Sequence, residues 1–449
     1  MNEIKADSID HELKDLNRTP SLREVYQTIS VSKEWPWWRK MLAFAGPGYL
    51  ISVGYMDPGN WATDLAGGSR FGYALLSVIF LSNLMAMLLQ HLSAKLGVVT
   101  GRDLAQACRD HYSAPINYVL WVLSEIAICA CDLAELIGSA IALKLLFGIP
   151  MLGGVCLTAL DVLIIMSLQN KGFRYLEAFI LALILIIAVC FGLEIFFSQP
   201  DFTAIAKGFI PHSDILLNSE MLYVAIGILG ATVMPHNLYL HSSIVQTRKY
   251  DQTHIGKRET IKFVTIDSTV ALSFALFINA SILIIAAAVF HKAGHHELAD
   301  IQEAYQLLTP LLNAPLASTI FALALLAAGQ NSTLTGTLAG QIVMEGFLNI
   351  RMRPWLRRLL TRMLALIPAI AALAIYGEQS ATQLLIISQV VLSLQLSFAI
   401  IPLVLFTSDR SKMGLFANSW WIQALAWSTT ALIIFLNGKY LLDFLFSLL

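Results

Sequence analysis

Residues 54–64 read "GYMDPGNWATD" and residues 231–241 read "ATVMPHNLYLH". Each stretch sets a proline inside a long apolar run with donor atoms beside it: Asp57 and Asn60 around Pro58, and Met234 directly before Pro235. Proline removes a backbone donor and Gly59 tolerates unusual dihedrals, so the helix is expected to unwind at both places. The first break then offers a carboxylate, an amide oxygen and freed carbonyls; the second offers freed carbonyls near Ala231 and the thioether of Met234. Oxygen donors with one soft sulfur suit a first-row divalent ion better than magnesium or calcium, which gain nothing from a thioether. A plain proline kink with a hydrogen-bonded Asp57, and a Met234 that merely fills space, are the competing readings.

The elements that must position these groups follow from composition. With 57% hydrophobic residues, 13% charged residues and a mean hydropathy of +0.68, the chain is too apolar for a soluble protein of 449 residues. It reads as an all-α integral membrane protein. The net charge of −1 and the scattered basic residues give no footprint for nucleic acid. Taking about 20 apolar residues per span, the sequence predicts eleven helices near 42–68, 72–97, 115–147, 151–168, 174–198, 219–246, 262–290, 314–349, 358–377, 382–407 and 418–437.

Residues 1–40 are polar, lack the apolar core of a cleavable signal peptide and are expected to form a cytosolic tail ahead of a transmembrane domain at 41–449. With that tail inside, 17 of the 29 basic residues fall in inner loops and seven more in the tail, and the odd span count then puts the C-terminus outside. Pro58 and Pro235 lie 177 residues apart, each in the first helix of a five-helix set. Paired interrupted helices at matching places mark an inverted-repeat transporter with its site at the midplane. Helices 1–5 (about 41–198) and 6–10 (about 219–407) form the repeats, and a helix at 418–437 lies outside them.

Burying Asp57 near a bilayer centre costs about 3 kcal/mol, so it needs a partner or a task. The third segment, "LWVLSEIAICACDLAELIG", adds Glu125, Asp132 and Glu135, whose offsets of seven and three place them on one helical face. They are candidates for a polar path, or for ion pairs with Arg357, Arg358 or Arg362 at the ninth-helix entrance. His241 lies one turn beyond His236 and titrates in the same range when unperturbed. His291, His295 and His296 beside Glu297 form either a metal-collecting loop or a solvated one. Asn279 faces the cavity or packs by hydrogen bonding. The five cysteines read as free packing thiols.

Four motifs together carry a resemblance: "DPGN", "MPHNLYLHS", "GQNSTLTGTLAGQIVMEGF" and "SQVVLSLQLSFAIIPL". From about residue 40 to its end the chain resembles the natural resistance-associated macrophage protein (Nramp) family of proton-coupled divalent metal transporters. That resemblance implies a metal site of Asp57, Asn60, Met234, the Ala231 carbonyl and Gln389, with Gln395 close to the last. It also implies a proton path through Asp57, Asp132, Glu135 and His236, with an arginine of the ninth helix (Arg357 or Arg358) as partner and Glu125 alongside. Ser397 and Asn331 depart from the family's usual "LQLPFA" and "GQSST". A magnesium-transporting branch lacks the methionine, so Met234 argues against membership there.

The function expected is import of Mn²⁺, Fe²⁺ or similar ions (Cd²⁺, Co²⁺, Zn²⁺) with protons across the inner cell membrane, by a monomer without a resident cofactor. A sodium-coupled amino-acid symporter on the same helix plan is the alternative, although Asp57 repels a substrate carboxylate. A metal sensor that does not transport fits the broken helices poorly, and no G-x-x-x-x-G-K loop points to an ATP-driven pump. If Met234 is a ligand, Met234→Ala should keep Mn²⁺ uptake into liposomes but weaken competition by Cd²⁺ and strengthen competition by Ca²⁺ and Mg²⁺. An unchanged competition profile makes Met234 a packing residue.

Overall fold

The computed structural model describes residues 20–158, 160, 173–296, 300–350, 354–378 and 381–447, without the side chains of residues 173, 354, 355, 357, 358, 361 and 447. Helices dominate. A short α1 (Trp37–Phe44) leads into a first span broken into α2 (Pro47–Gly54) and α3 (Pro58–Phe71). Next come α4 (Leu76–Thr100), α5 (Leu104–His111), α6 (Ala114–Phe147), α7 (Met151–Thr158) and α8 (Phe173–Ser198). The sixth span is likewise broken, into α9 (Ser219–Thr232) and α10 (Pro235–Ile244). It is followed by α11 (His254–Ile285), a short α12 (Ile301–Leu312), α13 (Ala317–Leu348), α14 (Pro354–Tyr376), α15 (Ala381–Ser408) and α16 (Trp420–Ser447).

Ten of the eleven expected segments coincide with these helices; of the fourth, 151–168, only residues to 158 and residue 160 are described. Among the described residues seven helices are long and apolar enough to cross a membrane, α9 with α10 counted as one. The seventh span starts eight residues before its apolar window because Thr253 caps it, accepting from the Gly256 N–H at 3.2 Å. The eleventh runs on to Ser447, well past residue 437.

The broken spans cross antiparallel, as copies of an odd-numbered repeat must. Asn237 donates to the Ile51 carbonyl at 3.5 Å, Asn60 to the Ala231 carbonyl at 3.1 Å, and Thr63 lies against Gly227, so one residue number rises as the other falls. Close approach depends on small residues, because between helices in lipid it is packing rather than water exclusion that holds them together. A Cβ on Gly138 of α6 would stand 2.1 Å from the Pro58 ring, and one on Gly230 of α9 would stand 2.0 Å from the Gln389 carbonyl.

The ends of the spans near α2 are clamped by charge. Arg248, with its side chain fully buried, pairs with Glu177 at 2.7 Å and donates to the Ala43 and Ala45 carbonyls at 3.2 and 2.9 Å. Arg174 reaches the carbonyls of Leu42, Ala43 and Ala45, and Asp267 accepts from the Gly48 N–H at 2.7 Å. Gly46, at φ 141°, lets the chain enter α2 against Glu177, whose Oε1 would lie 2.3 Å from a Cβ there.

The described part of the tail lies across these same ends. Ser21 donates to Asp103 at 2.5 Å, Glu24 accepts from Gln341 at 2.8 Å and Lys33 pairs with Asp251 at 2.7 Å. Strand β1 (Ile29–Ser30) runs parallel to β2 (Arg248–Lys249).

The Gly138 contact is directly testable. Gly138→Ala should push the Pro58 break away and destabilise the protein by about 1–3 kcal/mol, lowering its thermal midpoint in detergent. Gly192→Ala, where nothing lies within 4 Å, serves as control. Equal midpoints for the two variants would show that the break tolerates the added methyl.

Candidate metal site

Both breaks have one cause. In a continuous helix the Gly54 carbonyl would accept from residue 58 and the Ala231 carbonyl from residue 235, and both of those residues are proline. Neither ring nitrogen has a hydrogen to give, so each proline orphans one carbonyl. Proline at the first position also restarts a helix well, which is why α3 and α10 begin at Pro58 and Pro235. Asp57 is the N-cap of α3 and accepts from the Asn60 N–H at 2.8 Å.

The orphaned carbonyls and the cap converge on one atom. Asn60 Nδ2 stands 2.7 Å from Asp57 Oδ1, 3.1 Å from the Ala231 oxygen and 3.4 Å from the Gly54 oxygen. Asn60 Oδ1 in turn accepts from Asn279 at 3.2 Å, and Asn279 also donates to the Tyr55 carbonyl at 2.8 Å. Asp57 is 0% exposed, and its other oxygen, Oδ2, makes no hydrogen bond among the described residues. The point held by Nδ2 is thus a cage of oxygens around a partial positive charge, buried at the crossing of the two broken spans.

The remaining sequence candidates divide. Met234 is the N-cap residue of α10, fully buried with Ala127, Cys131 and Leu392. The Gln389 amide lies directly over Gly59, where a Cβ would be 1.7 Å from Nε2, and alongside the Asp57 carboxylate. Gln395 points elsewhere, to Ser124 at 3.4 Å and to Tyr239. Glu125 is half-buried and accepts from Trp121 at 2.9 Å, two turns from Asp132. His241 turns to Gln90 at 3.0 Å, and Gln90 to the Tyr55 hydroxyl at 2.8 Å.

Asp132 and Glu135 meet Arg362, at 3.8 and 3.5 Å, and Arg362 also donates to Thr333 at 3.2 Å. The side chains of Arg357 and Arg358, placed on the proton path from sequence, lie outside the described residues, as does Glu297. It is Arg362, more than a turn further along α14, whose guanidinium is seen to reach the acids. Sequence reasoning also passed over Cys131 as a packing thiol. Its sulfur stands 3.6 Å from Glu135 and 3.8 Å from His236 Nε2, so it joins the histidine of the second break to the buried ion pair. The signal was its spacing, next to Asp132 and one turn before Glu135.

Residues 48–443 match the family described as natural resistance-associated macrophage protein-like, or Nramp. The chain belongs to the Nramp family. It is 60% identical over 437 residues to the divalent metal cation transporter MntH of Listeria innocua, covering 97% of this chain and 98% of that one. To the MntH of a Nostoc species it is 62% identical over 428 residues, covering 95% and 97%. Among solved structures it is similar to the Eremococcus coleocola manganese transporter bound to an aromatic bis-isothiourea compound, at 42% identity and a TM-score of 0.86, with 93% and 90% covered. Inward-facing Mhp1 shares the fold alone, at 12% identity and a TM-score of 0.57. This Nramp chain therefore has the all-helical membrane fold of two inverted five-helix repeats, with the first and sixth spans broken and an extra C-terminal helix.

Among the described residues Asp57 brings the only side-chain carboxylate to the oxygen cage. Asp57→Asn is nearly isosteric and less costly to bury, so it should keep the thermal midpoint while weakening Mn²⁺ binding by roughly 100-fold or more, read by isothermal titration of purified protein. Native-like binding by the folded variant would make Asp57 a helix cap and nothing more.

Proposed function

We propose that the chain is a secondary transporter carrying Mn²⁺, Fe²⁺ and similar divalent ions into the cytosol with protons, by alternating access around the crossing of α2/α3 with α9/α10. It is a transporter and not an enzyme. The observation that carries the reading is the convergence of Asp57, Asn60 and the two proline-orphaned carbonyls at one buried point. In this reading the metal ion takes the place of Asn60 Nδ2. Turning the Asn60 amide over presents Oδ1 to that point, beside Asp57 and the Ala231 carbonyl. Met234 supplies the soft donor and Gln389 closes the site from α15. An amino-acid symporter fits less well, because the cage gathers oxygen acceptors where a substrate carboxylate needs donors.

A carboxylate as buried as Asp57 requires a positive partner, either a proton or a cation, so arrival of the metal displaces or redirects a proton. His236 lies two residues after Met234, and from it the Cys131 thiol and Glu135 lead to Asp132 and Arg362. We assign this chain of polar groups to the proton. The clustering of basic residues supports a cytosolic N-terminus and an outside C-terminus. Residues 1–40 act as a tail on a transporter unit at 41–449, and since one chain supplies every proposed ligand, the monomer suffices.

The test is purified protein in liposomes holding a metal-sensitive dye and a pH dye under an imposed pH gradient. Native protein should accumulate Mn²⁺ and acidify the lumen. Asp132→Asn and His236→Gln should lower metal-stimulated proton influx roughly tenfold or more while changing Mn²⁺ affinity much less. If both variants lose binding and keep the native proton-to-metal ratio, these residues belong to the metal site and the assigned path is wrong.

A further inference from the structure

Residues 21–33 cross the face of the molecule where α2 begins and α10 ends, and their contacts join elements of both broken spans. Ser21 and Leu22 are buried, and Ser21 donates to Asp103, the N-cap of α5, at 2.5 Å. Glu24 accepts from Gln341 of α13 at 2.8 Å. Gln27, at φ 52°, takes the left-handed conformation that turns the chain, and its N–H donates to the Gln246 carbonyl at 3.0 Å. The β-branched Thr28, Ile29 and Val31 then suit an extended strand. Ile29 pairs with Arg248 and Ser30 with Lys249, the Val31 N–H reaches the Lys249 carbonyl at 2.9 Å, and Lys33 closes on Asp251 at 2.7 Å.

The tail is the chain that feeds α2, and the stretch from Gln246 to Asp251 is the chain that leaves α10. The ladder between them therefore ties the entry of one broken span to the exit of the other. Arg248 makes the tie twice over. Its backbone pairs with Ile29 while its guanidinium holds the Ala43 and Ala45 carbonyls at the head of α2. The ladder itself is two residues long, with Ser30 and Lys249 exposed, and a two-stranded ribbon of that size is marginal on its own. It is held by its flanks: the buried Ser21 and Leu22 at one end and the Lys33–Asp251 pair at the other.

We propose that residues 21–33 are a latch that keeps α2 and α10 together on the tail side of the crossing, and that the latch opens when the ion leaves on that side. This use rests on the alternating-access reading above. Closed, the latch adds its contacts to whichever arrangement has the tail-side halves together; open, it leaves them free to part.

Two experiments on the full-length chain test it. The first locks the latch with Ser30→Cys combined with Lys249→Cys, since neighbouring strands stand about 4.7–4.9 Å apart, within reach of a disulfide. In liposomes, oxidation with diamide should abolish Mn²⁺ uptake by the double variant and reduction should restore it, while the native chain treated alike keeps its uptake. Undiminished uptake with the bond shown present by mass spectrometry would overturn the proposal.

The second experiment loosens the latch and needs neither metal nor transport, so it decides the matter even where the importer reading fails. Val31→Pro removes the N–H given to Lys249, and Ser21→Ala with Glu24→Ala removes the side-chain anchors. Each should speed maleimide labelling of Cys131, which is 1% exposed and packed beside Met234, several-fold relative to the exposed Cys156 in detergent. Glu34→Ala, an exposed position in the same tail, should label at the native rate. Native-rate labelling of Cys131 in whichever loosened variant folds would reduce the tail to a passive cover.

Discussion

Two missing hydrogens organise this protein. Pro58 and Pro235 each stand four residues after the carbonyl they would otherwise have satisfied, Gly54 and Ala231. In water such a carbonyl would turn to solvent at little cost. In the membrane interior it must find a partner inside the protein. Here the antiparallel crossing of the first and sixth spans brings both to the same amide, Asn60 Nδ2, where Asp57 joins them. The broken backbone, the buried carboxylate and the crossing geometry each depend on the other two.

Holding two interrupted helices so close requires their neighbours to be small. Gly138 of α6 receives the Pro58 ring, Gly230 of α9 receives the Gln389 carbonyl, and Gly59 makes room for the Gln389 amide. Around α2 the constraint changes from shape to charge. Two arginines, Arg174 and Arg248, gather the carbonyls of Leu42, Ala43 and Ala45, which belong to the chain just before α2. The half-helix α2 is thus tied by hydrogen bonds that are few, local and charge-assisted.

The polar groups away from the crossing follow the same rule of pairing. Asp132 and Glu135 are tolerable in α6 because Arg362 reaches them from α14, and Cys131 lies between Glu135 and His236. The thiol is a weak donor and a weak acceptor, so it can link a histidine to a carboxylate without trapping a proton at either. Its place between the proposed metal site and the ion pair gives the two a common neighbour.

Much of this was written in the order of residue types. Apolar run lengths located the spans, because a bilayer of fixed thickness requires helices of fixed length. Proline positions located both breaks, because the loss of an N–H is a local covalent fact. The spacing of Asp132 and Glu135 put them on one face for the same reason, since helical periodicity needs no knowledge of the rest of the chain. Partners were another matter. The pairing of Arg362 with Asp132 and Glu135, Gln389 rather than Gln395 beside Asp57, the role of Cys131 and the meeting of His296 with His291 over Ser69 all join residues from different helices or reversed turns. Such contacts depend on crossing angle and axial register between helices. Those are set by summed packing over dozens of side chains, and no single motif encodes them.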